Sequence, residues 1–131
     1  MKFSILFLAA VVVLCGCASS TPQKRARERA ASYAGMPPET KTMVDHGKIK
    51  TGMTTEAVYI AWGQPSEILN AQTPNGVTTT TWLYYATALQ ENSYWSRRRL
   101  QHDYYPQGYV AAEVIFENGV VKAWRNMPRP P

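Results

Sequence analysis

The sequence predicts an α+β domain of two layers, αα-βββ, with two N-terminal helices packed on a three-stranded antiparallel sheet. Three observations predict it. An apolar helix is capped at Thr54 or Thr55 and stopped at Gly63. Three segments rich in β-branched and aromatic residues follow it. An Asn118-Gly119 turn joins the last two of them. With the helices upstream, one sheet face packs on them and the other stays open to solvent.

Residues 40–50 form the first helix, a short one, with Met43 and Val44 leading to Ile49; Gly47 weakens it. The second is better marked. Thr54 or Thr55 accepts from the first free N–H groups, Glu56 places a negative charge in the first turn, and Val58, Ala61 and Trp62 recur at helical spacing. Gly63 ends it in a backbone conformation that costs glycine little, and Pro65 prevents resumption. The strands cover 77–86, 109–117 and 120–124. A two-residue turn pairs Glu117 with Val120, Phe116 with Val121, and Val114 with Ala123. Val114, Phe116, Val121 and Ala123 then share the core face, and Glu113, Glu117 and Lys122 the other. The proline-rich tail, 127–131, cannot continue a sheet.

Met1-Lys2 and the apolar run that follows read as a secretory signal, too short to span a bilayer. Leu14-Cys15-Gly16-Cys17 resembles the lipobox of bacterial lipoproteins. The resemblance implies cleavage between Gly16 and Cys17 and acyl chains on Cys17, which anchor the chain to a membrane. The alternative is an ordinary secreted protein cut near Ala18. It leaves Cys17, the only cysteine after the signal, unexplained. Ala18, in place of Asp, implies the outer membrane with the domain facing the periplasm. Residues 17–38 read as a tether: four basic residues between Pro22 and Pro37, with no apolar stripe, forming either a solvated spacer or a headgroup contact.

Removal of residues 1–16 takes Lys2 with it and lowers the formal charge from +5 to +4. The 115 residues that remain suffice for one domain, spanning 39–126, whose stability rests on its apolar core, because Cys17 has no partner for a disulfide. A protein outside the cytoplasm has no nucleic-acid partner. No nucleophile elbow, phosphate loop, metal-ligand spacing or cofactor motif is present, which argues against an enzyme.

Ile49-Lys50-Thr51-Gly52-Met53-Thr54-Thr55-Glu56-Ala57-Val58, then Gly63-Gln64-Pro65, then Trp82-Leu83-Tyr84, then Phe116 before the Gly119 turn, resemble the SmpA/OmlA (BamE-like) family of outer-membrane lipoproteins. The resemblance covers residues 40–125. It implies the αα-βββ fold, a periplasm-facing site on the outer membrane, and an accessory, stabilising role in the barrel-assembly machine. Ile49, Gly52, Met53, Thr54, Val58, Gly63, Pro65, Trp82, Tyr84, Phe116 and Gly119 carry it as cap, turn and core. Met43 to Gly47 departs from the segment by which the family's best-known member meets lipid and partner subunits.

Residues 87–108 form a link unusually long for a hairpin. It holds Tyr94, Trp95, Arg97, Arg98, Arg99, Tyr104 and Tyr105. Aromatics interleaved with arginine suit a protein partner or a lipid surface; the plain alternative is that the aromatics extend the strands and the arginines are solvated. Two functions stay open: a non-catalytic stabilising factor of the cell envelope, or an inhibitor or sensor module that binds a soluble periplasmic protein. Lipid or peptidoglycan contact is a third.

Overall fold

The computed structural model describes residues 20–131. Gly16 and Cys17 lie outside the described residues. Four short helices come first: α1 Pro22–Glu28, α2 Ala30–Ala34, α3 Pro38–Asp45 and α4 Thr55–Trp62. Four strands follow: β1 Glu67–Gln72, β2 Thr78–Ser96, β3 Arg99–Glu117 and β4 Val120–Asn126. They form one antiparallel meander in the order β1-β2-β3-β4. No described helix is long and apolar enough to cross a membrane.

Local chemistry sets the helix ends. Thr54 Oγ1 accepts from the Ala57 N–H at 3.3 Å at the start of α4. At its end Gly63, at φ +90°, donates to Tyr59 O at 2.7 Å. α4 is the hub: α1, α2 and α3 all touch it. Its Val58 and Ile60 are fully buried with Val44 of α3, Val114 and Phe116 of β3, and Val121 of β4. Trp82 of β2 lies 4.9 Å from the Phe116 ring. The Gly52-Met53 turn is laced to β4, with Gly52 N donating to Val121 O and Val121 N to Met53 O, both at 2.8 Å. Ile49 and Met53 are buried, so these motif residues close the core.

The expected αα-βββ arrangement, two N-terminal helices on a three-stranded sheet, does not hold. Three segments depart from it. Residues 67–72 form an extra strand, exposed throughout and held by backbone pairing with the threonine-rich start of β2. Residues 87–108 are not a loop: they lengthen β2 and β3 to 19 residues each. Residues 22–34, read as part of a tether, form α1 and α2 and pack on α4.

Docking of α1 rests on Arg25, which is only 5% exposed. Its Nε donates to Ile60 O and its Nη2 to Ala61 O, each at 2.8 Å. Its Nη1 donates to Ser20 O and, at 3.1 Å, to Ser20 Oγ. The last carbonyls of α4 have no partner within the helix, and the guanidinium meets them at the negative end of the helix dipole. Burial lowers the Arg25 pKa. Tyr33 adds a second clasp, donating to the Asp45 carboxylate at 2.8 Å.

The β3–β4 turn matches expectation at its tip. Asn118 and Gly119 have φ of 50° and 82°, and Glu117 faces Val120 and Phe116 faces Val121. A bulge then intervenes, and Ala123 pairs with Ile115 rather than Val114. Ala123 consequently leaves the core face and is exposed, while Val114 faces Trp124.

Candidate binding surface

β1 covers β2 only as far as the Glu67↔Leu83 pair, and β4 covers β3 only as far as Ala112↔Asn126. Past a bulge at Ala111, residues 85–96 and 99–110 continue as a two-stranded ribbon. Twelve paired residues per strand, at about 3.3 Å each, carry it roughly 40 Å beyond the four-stranded base. Arg97 and Arg98 make the turn, with φ of 48° and 68°. Positive φ at both positions is the type I′ geometry, which favours Asn-Gly and costs other residues about 1 kcal/mol or more each.

Alternation sorts the side chains onto two faces. Tyr85, Leu89, Glu91, Ser93 and Trp95 of β2 pair with Val110, Pro106, Tyr104, His102 and Leu100 of β3, on the face opposite Trp82 and the core. Trp95 is 75% exposed, Tyr104 62% and Leu89 61%. Tyr94, Arg99 and Tyr105 lie on the other face, the one that carries Trp82 and Tyr84 at the base. The seven residues singled out in 87–108 therefore divide three ways: Trp95 and Tyr104 on the open apolar face, Tyr94, Arg99 and Tyr105 behind it, and Arg97 and Arg98 at the tip. Tyr85, Leu89, Leu100 and Val110 complete the apolar face. The period-two spacing of Tyr85, Leu89 and Trp95, with Ala86, Ala88, Gln90 and Asn92 on the intervening positions, is the only sequence signal that could have found the β2 part of it.

Glu91, Ser93 and His102 form a polar centre on this face. Ser93 Oγ donates to Glu91 Oε1 at 2.7 Å and lies 2.9 Å from His102 Nδ1, which also contacts Glu91 Oε1. These contacts hold the Glu91 pKa below its usual range, the Ser93 hydroxyl contributing most and His102 next. Serine and glutamate meet the same ring nitrogen. A nucleophilic triad needs them on opposite nitrogens, so the cluster orders the ribbon and does not activate Ser93.

At the ribbon base Tyr84 donates to Gly63 O at 3.1 Å and meets Trp62 edge to face at 5.6 Å. Burial raises the Tyr84 pKa. Pro65 follows in the turn that leads to β1. A groove of about 470 Å³ lies between the α2–α3 elbow and the start of α4. Ala31, Met36, Pro37, Met53 and Ala57 line it, and Glu56 is its one charge, 3.8 Å from Arg29. Among the described residues no three His, Cys, Asp or Glu side chains converge in a metal-binding group.

No protein-family model, no curated protein and no solved structure matches the chain.

Proposed function

We propose that this chain is a non-catalytic lipoprotein of the cell envelope. In this reading it is anchored in the outer membrane through Cys17, faces the periplasm, and captures a partner protein on the open face of the β2–β3 ribbon. Its role is that of an accessory, stabilising factor in outer-membrane protein assembly. The observation that carries the binding role is the run of exposed Leu89, Trp95, Leu100 and Tyr104 along one face of an uncovered ribbon. Large apolar side chains grouped on one exposed face, here on either side of the Glu91–Ser93–His102 centre, mark a contact surface, and Trp, Tyr and Arg dominate the energetics of protein contacts. The lipobox and the resemblance to SmpA/OmlA proteins supply the envelope setting.

The test is a crosslinked capture from envelope membranes, comparing the unaltered lipidated protein with Trp95→Ala/Tyr104→Ala and with Arg97→Ala/Arg98→Ala/Arg99→Ala. The expected result is recovery of barrel-assembly subunits by the unaltered protein and at least ten-fold less by the first variant. A single soluble periplasmic enzyme in their place would favour the inhibitor or sensor role, for which a projecting hairpin with a cationic tip is a suitable probe of a cleft. Equal capture by all three proteins would remove the ribbon from the function.

A further inference from the structure

The ribbon has two outer edges, and they are not equivalent. In a hairpin with a two-residue turn the flanking pair, here Ser96↔Arg99, is the hydrogen-bonded one, and bonded and non-bonded pairs then alternate. Thr87, Leu89, Glu91, Ser93 and Trp95 therefore fall at non-bonded positions, with their backbone N–H and C=O groups directed away from β3. The same parity places the Tyr85 N–H outward, and it does donate outward, to Ser66 Oγ at 3.0 Å. On β3 the outward set is Leu100, His102, Tyr104, Pro106 and Gly108. Pro106 has no N–H and interrupts that edge in its middle, the usual protection of an exposed strand. β2 has no proline, glycine or lysine between Ala86 and Ser96.

The open β2 edge also has a defined approach. It begins where β1 stops, so an added antiparallel strand would continue the line of β1. Such a strand would run from the tip towards the base, with its N-terminal end beside Arg97, Arg98 and Arg99. Among the described residues none of these three arginines is ion-paired. Alternate side chains of the strand would lie beside Leu89 and Trp95 on the open face.

We infer that the outer edge of β2, from Thr87 to Trp95, is a strand-addition site for an extended segment of a partner protein, acidic at its N-terminal end and apolar at alternate positions. Main-chain bonds to five outward residues supply affinity, and the arginine tip sets direction by charge complementarity. The inference rests on the ribbon being the binding surface and names the class of segment that the surface takes.

The experiment is residue-resolved hydrogen exchange on the full chain. The probe is a nonapeptide of two aspartates followed by alternating valine and threonine; the control carries lysines in place of the aspartates. At saturation the amides of Leu89, Glu91 and Ser93 should exchange at least ten-fold more slowly, with His102 and Tyr104 unchanged. The lysine-headed peptide should bind at least ten-fold more weakly. Thr87→Pro, which removes one outward N–H, should weaken binding at least ten-fold, whereas Thr87→Ala should not. No saturable binding at about 1 mM, a free energy near −4 kcal/mol, would overturn strand addition, as would protection confined to β3. Slowing that grows with protein concentration and needs no peptide would assign the edge to a second copy. Protection by phosphatidylglycerol vesicles and not by peptide would assign the tip to a lipid surface. If the peptide fails while Trp95→Ala/Tyr104→Ala still loses the captured partner, the proposed function stands and only strand addition falls.

Discussion

Arg25→Met tests whether one buried guanidinium docks the N-terminal helices. The change keeps an unbranched apolar stem but removes the guanidinium, whose Nη1 would lie 3.5 Å from a Cβ at Gly63. It removes both 2.8 Å bonds to Ile60 O and Ala61 O and both bonds to Ser20. A hydrogen bond from a charged donor contributes about 1.5–3 kcal/mol, so the two carbonyl bonds represent about 3–6 kcal/mol. Methionine recovers part of this, because a buried guanidinium carries a desolvation cost that an apolar chain does not. Water can also reach the freed carbonyls once α1 loosens. The expected net loss is about 2–4 kcal/mol, a large share of the 5–15 kcal/mol of an ordinary domain. Urea unfolding of residues 20–131, followed by tryptophan fluorescence, measures it. Hydrogen exchange across α1 supplies a second readout, since those amides should approach the rate of unfolded chain while α4 keeps its protection. Arg25→Lys should recover less than half the loss, because an ammonium is a point donor and cannot fork between two carbonyls. A loss below about 1 kcal/mol, with α1 still protected, would refute the account and leave Tyr33–Asp45 as the docking contact.

Two further perturbations probe the ribbon and its base. Arg97→Asn/Arg98→Gly puts the preferred pair into the type I′ turn and should stabilise the ribbon by about 1–2 kcal/mol; exchange at Tyr94 and Gln101 should slow about 5- to 30-fold, while partner capture falls with the lost cations. Faster exchange would contradict the positive-φ reading. Tyr84→Phe concerns alkaline pH. The folded-state pKa of Tyr84 is raised, so the stability it gives is fully present below the unfolded tyrosine value near 10 and is lost as pH rises above it. The variant should cost about 1 kcal/mol at pH 7 through the lost bond to Gly63 O, and should lose less stability than the parent between about pH 10 and 11. Parallel curves for the two proteins would assign the alkaline loss to other groups.

What was legible in the sequence is what local chemistry decides alone. The Thr54 cap, the Gly63 stop and the Asn118-Gly119 turn depend on residues within four positions of each other, and the structure places all three as read. What was missed depends on distant partners. β1 has no apolar alternation and low strand propensity; it is a strand because the start of β2 offers a free edge. The ribbon contains Asp103, Pro106 and Gly108, which read as loop, and its turn carries two arginines where Asn-Gly would have signalled a hairpin. Arg25 looked like one more charge in a solvated run. Nothing in Gln23-Lys24-Arg25-Ala26 marks it apart from its neighbours, because its acceptors are carbonyls 35 and 36 residues away. The bulge between Ile115 and Phe116, which leaves Lys122 without a backbone pairing partner, adjoins the Val121 bonds to Gly52 and Met53, and no spacing within the hairpin records it.

The Arg25–Ser20 contact also fixes a length. A free coil of some 20 residues between Cys17 and the domain would have a root-mean-square span of about 25 Å and let the domain swing. With Ser20 held against the end of α4, only Ala18 and Ser19 separate the anchored frame from Cys17, and three extended residues reach at most about 11 Å. For a chain lipidated at Cys17, as proposed, that turns a tether into a mount. The end of α4 and the adjoining root of the ribbon are kept near the bilayer surface. The ribbon then works as an arm with a fixed pivot, and what it can touch is decided by its direction from that pivot rather than by diffusion of the domain.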